Sequence, residues 1–253
     1  VPSSKVVAVE HLPMRIPSRR IRFLTRLSAR GLAAHVAVGT ATARDIEAMK
    51  GRPIGSIRVV HNGIPTPRLQ PMPMPVDTDF VVGGIGRLNR QKGFDVLVRA
   101  MARIPDAHLL LVGDGPEKGA LHTLAEELGV ANRLTITGWT ERSTDWLSAM
   151  DAVAMPSRFE GLPLVLLEAM ASGRAVVGTD VGSICDALQH DRTGLVVPPD
   201  DDVALAAALC RLRQDRALRE RLGSTAAGLA RDRFTLSRMV AAYESLYQEL
   251  LQS

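Results

Sequence analysis

Short apolar runs rich in Val, Ile and Leu alternate along this chain with longer stretches whose apolar residues recur every three or four positions. These are the periods of buried strands and of amphipathic helices. Residues 5–9, 34–38 and 57–60 predict strands, the first ending at Glu10 and His11. Helices are predicted over 18–33 and 40–50, and Asn62-Gly63 predicts a turn after the third strand. Six more strands, at 80–85, 108–112, 134–137, 152–155, 175–178 and 195–197, alternate with helices at 94–104, 117–128, 143–150, 164–171, 183–189 and 203–214. Two last helices cover 216–231 and 236–251. Alternation at this spacing predicts an α/β fold in which a doubly wound parallel sheet carries helices on both faces.

One segment interrupts the pattern. I-P-T-P-R-L-Q-P-M-P-M-P, residues 64–75, holds five prolines in twelve residues. Proline has no N–H to give a helix or a central strand, so this reads as a semi-rigid linker. It divides residues 1–63 from a larger unit over 76–235, with 236–253 as a closing helix. The chain opens V-P-S-S-K-V-V-A-V-E-H without an initiator Met or a charged-then-apolar leader. The expectation is a sequence entered within its first domain.

Composition narrows the class. The 253 residues are 46% hydrophobic and 4% aromatic, with a formal net charge of +4. That is enough chain for one large domain or two smaller ones, and no apolar run reaches the roughly 18 residues that span a bilayer. Cys185 and Cys210 lack metal or redox spacing and predict reduced thiols, in keeping with a cytoplasmic chain. So few aromatic residues give little to stack single-stranded bases on, and no nucleic-acid partner is expected. The charge is uneven: Arg15, Arg19, Arg20, Arg22, Arg26 and Arg30 interleave with Ile16, Ile21, Phe23, Leu24 and Leu27. This basic amphipathic segment is either a solvated face or a peripheral contact with anionic membrane or an acidic acceptor.

Sites in such sheets lie at the carboxyl ends of the strands. There the chain places G-R-L-N-R-Q-K-G (86–93), V-G-D-G-P-E (112–117), T-G-W-T (137–140) and M-P-S (155–157). Arg87 and Lys92 beside a helix start would suit a polyphosphate, though Arg and Lys are also common in plain exposed loops. Gly84-x-Gly86 resembles a dinucleotide fingerprint, but Asn89 stands where its third glycine belongs. Gly113 and Gly115 read as a structural turn, and Trp139 either stacks on a base or plugs the surface.

After the fourth of these strands comes F-E-G-L-P-L-V-L-L-E-A-M-A-S-G (159–173), with seven residues between Glu160 and Glu168. Gly161 and Pro163 break the chain before the helix, leaving Glu160 in the loop. The amides of Leu164 and Val165 are then unsatisfied helix-start donors suited to phosphate. Phosphate repels carboxylates, whereas a carboxylate accepts two hydrogen bonds from a vicinal diol. A nucleotide sugar has a diol on each side of its diphosphate.

The run E-G-L-P-L-V-L-L-E-A-M-A-S-G resembles the E-x7-E signature of the retaining glycosyltransferases of family 4 (glycosyltransferase group 1), of the GT-B fold. V-H-N-G-I (60–64), G-R-L-x-x-x-K-G, V-G-D-G-P-E and H-D-R-T-G-L-V-V-P-P (190–199) follow the family's order. The resemblance implies two Rossmann-like domains facing a cleft, the N-terminal one here incomplete, and the last helix crossing back to it. It implies transfer of a sugar from a nucleoside-diphosphate sugar to a glycan or lipid-linked hydroxyl acceptor, with no metal or other cofactor. Arg87 and Lys92 would bind the diphosphate, Glu160 the donor sugar, Leu164 and Val165 the phosphate, Glu168 the ribose, and Trp139 the base. Gly86, Gly113, Gly161, Leu162 and Pro163 complete the implied donor site, and His11 matches the family's histidine near the transferred sugar. The family pattern T-x-x-G-G-x-x-E is T-D-V-G-S-I-C-D here, with Ser183 and Asp186 as variants. The alternatives are a truncated, non-catalytic nucleotide-sugar-binding module, or another GT-B enzyme such as a sugar-nucleotide epimerase or a phosphorylase.

Overall fold

The computed structural model describes residues 5–12, 27, 31–73 and 78–252. The arginines of the predicted basic segment, Arg15, Arg19, Arg20, Arg22, Arg26 and Arg30, lie outside the described residues. Three short strands, β1 (Val7–Glu10), β2 (Ala34–Ala37) and β3 (Arg58–Val59), form a parallel sheet in that order, with α1 (Thr40–Lys50) following β2.

The second sheet contains β4 (Val81–Ile85), β5 (His108–Val112), β6 (Leu134–Ile136), β7 (Ala152–Met155), β8 (Ala175–Thr179) and β9 (Leu195–Val197). All pair in parallel in the order β6-β5-β4-β7-β8-β9. Its helices are α2 (Phe94–Met101), α3 (Lys118–Glu127), α4 (Leu164–Ala171), α5 (Asp202–Gln214) and α6 (Arg216–Arg233). The strands are apolar on both faces because both are covered. On β5, Leu109 and Leu111 pack with Phe94, Leu97, Leu209 and Leu212. Leu110 and Val112, pointing the other way, pack with Leu166, Leu167, Met170 and Phe234. α5 and α6 start where Asp201 and Asp215 accept hydrogen bonds from Ala204 N and Leu218 N, each at 2.8 Å.

The last helix, α7 (Leu236–Gln252), lies against the three-stranded sheet, where buried Leu246 meets Val36 and Val60. Arg58 and Glu249 pair across this contact.

Three local expectations are corrected. Residues 143–150 form 3-10 turns over Ser143–Ala149 instead of an α-helix. There Asp145 accepts from Gln70 N and Arg142 Nε, and Ser148 Oγ donates to Asp145 O, bonds that compete with a regular ladder. The helix expected over 183–189 shrinks to a turn at Ile184–Asp186, because Ser183 and Asp186 bond to α1 instead. Asn62-Gly63 makes no turn: Gly63 precedes a bridge between Ile64 and Thr235, and a side chain at Gly63 would strike the Thr235 carbonyl. Close approach of two backbones, with no left-handed φ, is what asks for glycine there.

The strand order decides where a ligand fits. Chain progression runs outward from β4 to β5 and β6, then returns to β7 on the other side of β4. The loops after β4 and β7 therefore leave in opposite directions and open a crevice at the switch point.

Candidate active site

Those two loops carry Lys92 and Glu160. Asn89 caps the turn Arg90–Lys92 by accepting from Lys92 N at 3.2 Å, and the left-handed Gly93 (φ 66°) then starts α2. A side chain at Gly93 would strike the Pro156 carbonyl, so the two loops pack backbone to backbone. Across this contact Lys92 Nζ donates to Glu160 Oε1 at 2.6 Å, and Ser157 Oγ donates to the same oxygen at 2.9 Å. Glu160 is only 4% exposed, and burying a carboxylate at this depth requires such partners.

The neighbouring loops converge through glycine. Gly86 (φ 149°) lies against the aliphatic stem of Lys92, and its N–H donates to Val112 O at 3.0 Å. Gly113 (φ 144°) sits against the Gly86 carbonyl and bridges to Gly138 on the loop after β6. Arg87 is exposed; its carbonyl accepts from Asn89 N at 2.9 Å, and its guanidinium has no hydrogen-bond or ion-pair partner among the described residues. Gly84, by contrast, is inside β4, where a side chain would meet Phe94 and Leu111, so it belongs to packing and to no dinucleotide fingerprint.

On the far side, Pro163 caps α4 with extended backbone, and Leu166 N donates to Pro163 O at 3.2 Å. The amides of Leu164 and Val165 have no protein acceptor among the described residues. Leu162 is buried in the core and its carbonyl accepts from Asn62 Nδ2 at 2.7 Å. Glu168 lies one turn along α4 on the face of the exposed Leu164. Burial alone raises its carboxyl above the ordinary range, and no side chain among the described residues pairs with it. Trp139 is 74% exposed at the end of β6. With β5 and β4 between β6 and β7, it stands three strand spacings, roughly 14 Å, from the Glu160 loop.

The three-stranded sheet supplies the opposite wall. The His11 carbonyl packs against Gly161, which puts the exposed His11 beside Glu160. Asp186 accepts from Thr40 N at 2.7 Å, from Thr40 Oγ1, and from His61 Nε2 at 3.0 Å. Burial works to raise the Asp186 carboxyl, but the bonds from His61 and Thr40 outweigh it and hold the group below the usual carboxylate range. Ser183 Oγ lies 3.2 Å from both Thr42 N and Thr42 Oγ1. Both departures from the family pattern are thus occupied in joining the two sheets.

The matched family model is "Glycosyl transferases group 1", over residues 79–215, more than half of the chain. The chain belongs to this family. The chain is 39% identical over 168 residues to the lipopolysaccharide core biosynthesis glycosyltransferase LpsD of Rhizobium meliloti, covering 66% of this chain and 49% of LpsD. It is 33% identical over 179 residues to the N-acetyl-alpha-D-glucosaminyl L-malate synthase of Bacillus anthracis, covering 70% and 47%. The chain spans about half the length of the curated relatives it matches. Its fold matches the GT-B structures of Anabaena HepE in complex with UDP (TM-score 0.86, 24% identity, 96% of this chain and 72% of that one) and of sucrose-phosphate synthase from Thermosynechococcus elongatus (TM-score 0.85, 25% identity, 97% and 68%).

Sequence reasoning gave no role to Ser157 and Gln91, whose side chains bond to Glu160, to Arg158 beside Ser157, or to His61 and Asn62, which reach across from the other sheet. The signals available were Ser157 and Arg158 after an apolar strand, Gln91 inside G-R-L-N-R-Q-K-G, and His61 and Asn62 inside V-H-N-G-I. Partners nearly 70 residues away left no trace in local pattern.

Proposed function

We propose that this chain forms the donor side of a retaining glycosyltransferase that moves a sugar from a nucleoside-diphosphate sugar to a hydroxyl of a glycan or lipid-linked acceptor. The observation that carries the reading is the Lys92–Glu160 pair at the switch point, flanked by free amides at Leu164 and Val165. HepE, of the same fold, was solved with UDP and glucose, and LpsD acts in lipopolysaccharide core biosynthesis. Those two proteins suggest a uridine nucleotide and a lipid-linked acceptor.

In this reading the diphosphate lies between Arg87, Lys92 and the start of α4, and Glu160 accepts hydrogen bonds from sugar hydroxyls. Glu168 accepts them from the ribose, which relieves a carboxylate that burial leaves strained. The bond from the sugar's anomeric carbon to the phosphate oxygen breaks, and its electron pair stays with the departing diphosphate. Arg87 and Lys92 stabilise that charge without a metal ion. The acceptor oxygen attacks on the face being vacated and gives its proton to the leaving phosphate oxygen, so configuration is retained. His11 faces the sugar from the other wall. The protein would work in the cytoplasm, with the basic segment of Arg15–Arg30 against an anionic membrane surface.

The test is calorimetry with UDP and GDP, followed by mass spectrometry of products from a panel of nucleotide sugars on the full-length protein. Donor-dependent transfer that Glu160→Ala reduces by orders of magnitude is expected. Binding without transfer or donor hydrolysis would leave only a binding module, and undiminished turnover by the variant would remove Glu160 from the site.

A further inference from the structure

Lys92 and Glu160 are joined by more than their own ion pair. Arg158, two residues before Glu160, sends Nη1 and Nη2 to the two oxygens of Asp95 at 2.8 and 2.7 Å. Asp95 is the second residue of α2, three beyond Lys92. Nη1 also donates to the Arg90 carbonyl at 2.8 Å and Nε to Asp200 Oδ1 at 2.6 Å. The backbone repeats the link: Arg158 N donates to Gln91 O at 2.8 Å, and Gln91 Nε2 to Phe159 O at 3.1 Å.

These bonds differ in weight. Asp200 is a monodentate partner whose side chain is 59% exposed, and such pairs hold geometry weakly. The fork onto Asp95 is bidentate and partly buried, which fixes both distance and angle. Burial opposes ionisation of Asp95, but Arg158 outweighs it and holds that carboxyl below its usual range. Four of the five guanidinium N–H groups are already committed to protein acceptors. An arginine in a donor-binding loop would ordinarily be read as a phosphate ligand. This one has almost nothing left to offer an anion.

We propose that Arg158 is a positioning residue, with Asp95 as its anchor, that sets Glu160 at the height and angle at which it meets the donor sugar beside Lys92. The inference rests on the donor-site reading above. A lysine could keep the charge but not the fork, so shape and not charge is what the site uses. Nucleotide contacts at Leu164, Val165 and Glu168 lie on α4, beyond the brace, and Lys92 alone of the braced turn meets the diphosphate.

The experiment compares wild type, Arg158→Lys and Asp95→Asn in the full-length protein, each also in a Glu160→Gln background. Folding is checked by circular dichroism and by the melting temperature. UDP affinity should fall by no more than about fivefold, through Lys92, while kcat with the donor falls by roughly one to two orders of magnitude, the scale of a misplaced catalytic group. In the Glu160→Gln background Arg158→Lys should cost little further, because both changes remove one function. Losses that multiply across the two backgrounds, or a fall in UDP affinity as large as that in kcat, would overturn the proposal. Amide hydrogen exchange reads the brace without activity. Faster exchange confined to residues 90–93 and 157–162 in Arg158→Lys supports it, and exchange unchanged or raised throughout the sheet overturns it. A wild type that binds no nucleoside diphosphate would defeat the donor-site reading alone, and the exchange result would still decide the brace.

Discussion

Nζ of Lys92 and Oε1 of Glu160 lie 2.6 Å apart, on loops that leave neighbouring strands in opposite directions. The side chains are 18% and 6% exposed, so the carboxylate is the more deeply desolvated partner. Each group thereby supplies the polar partner that the other, largely removed from water, would lack.

That asymmetry predicts unequal effects of breaking the pair. Lys92→Met strands a buried carboxylate and should lower the melting temperature by about 6–12 °C, the equivalent of roughly 3 kcal/mol. Glu160→Gln leaves an ammonium that reaches water and should cost half of that or less. The double variant should regain most of the stability and none of the transfer activity. Differential scanning calorimetry beside a donor-turnover assay separates the two.

Glu168 predicts a trade between stability and binding. Burial raises its folded-state carboxyl above the unfolded value. As pH rises the unfolded chain releases this proton first, so stability falls between the two values and the penalty is complete above the folded one. Glu168→Gln should therefore melt about 2 °C higher than wild type at pH 7 and equally at pH 3, while its affinity for a nucleotide sugar falls about tenfold. Calorimetric melts at the two pH values, with a binding titration, test both halves.

Asp186 has the opposite sign. Its folded-state carboxyl is lowered, so its contribution is fully present above the ordinary carboxylate range, near pH 4, and is lost as pH falls through the folded value. Asp186→Asn should melt about 4 °C below wild type at pH 7, and the difference should shrink at pH 3. Because the partners Thr40 and His61 belong to the other sheet, small-angle scattering of the variant should also show a wider cleft.

Glycine at 113 is fixed by its surroundings. At φ 144°, with the Gly86 carbonyl where a side chain would go, Gly113→Ala should cost about 2 kcal/mol or more and weaken donor binding through the Lys92 loop. Gly119→Ala is the control. It lies in α3 with open space around it and should stabilise by about 0.5–1 kcal/mol. Urea titrations that gave both variants the same sign would refute the contrast.

Much of this protein was legible along the chain. The strands at β5, β7 and β9 and the helix α4 fall on the residues where local periodicity puts them, because hydrophobic spacing is a property of neighbours in sequence. The Lys92 loop and the Glu160–Glu168 helix were also visible, as charges set at the ends of apolar runs. What local pattern could not give is anything held by distant partners. The order β6-β5-β4-β7-β8-β9, and with it the crevice, depends on which strands pair, and parallel neighbours are joined only through long crossovers. Gly63 reads as a turn until Thr235 arrives beside it, and residues 183–189 read as a helix until Thr40 and Thr42 compete for Ser183 and Asp186. The same holds at the site. Sequence placed Lys92 and Glu160 on separate loops, and only tertiary packing, with Gly93 against Pro156 and Arg158 forked onto Asp95, brought their charges within 2.6 Å.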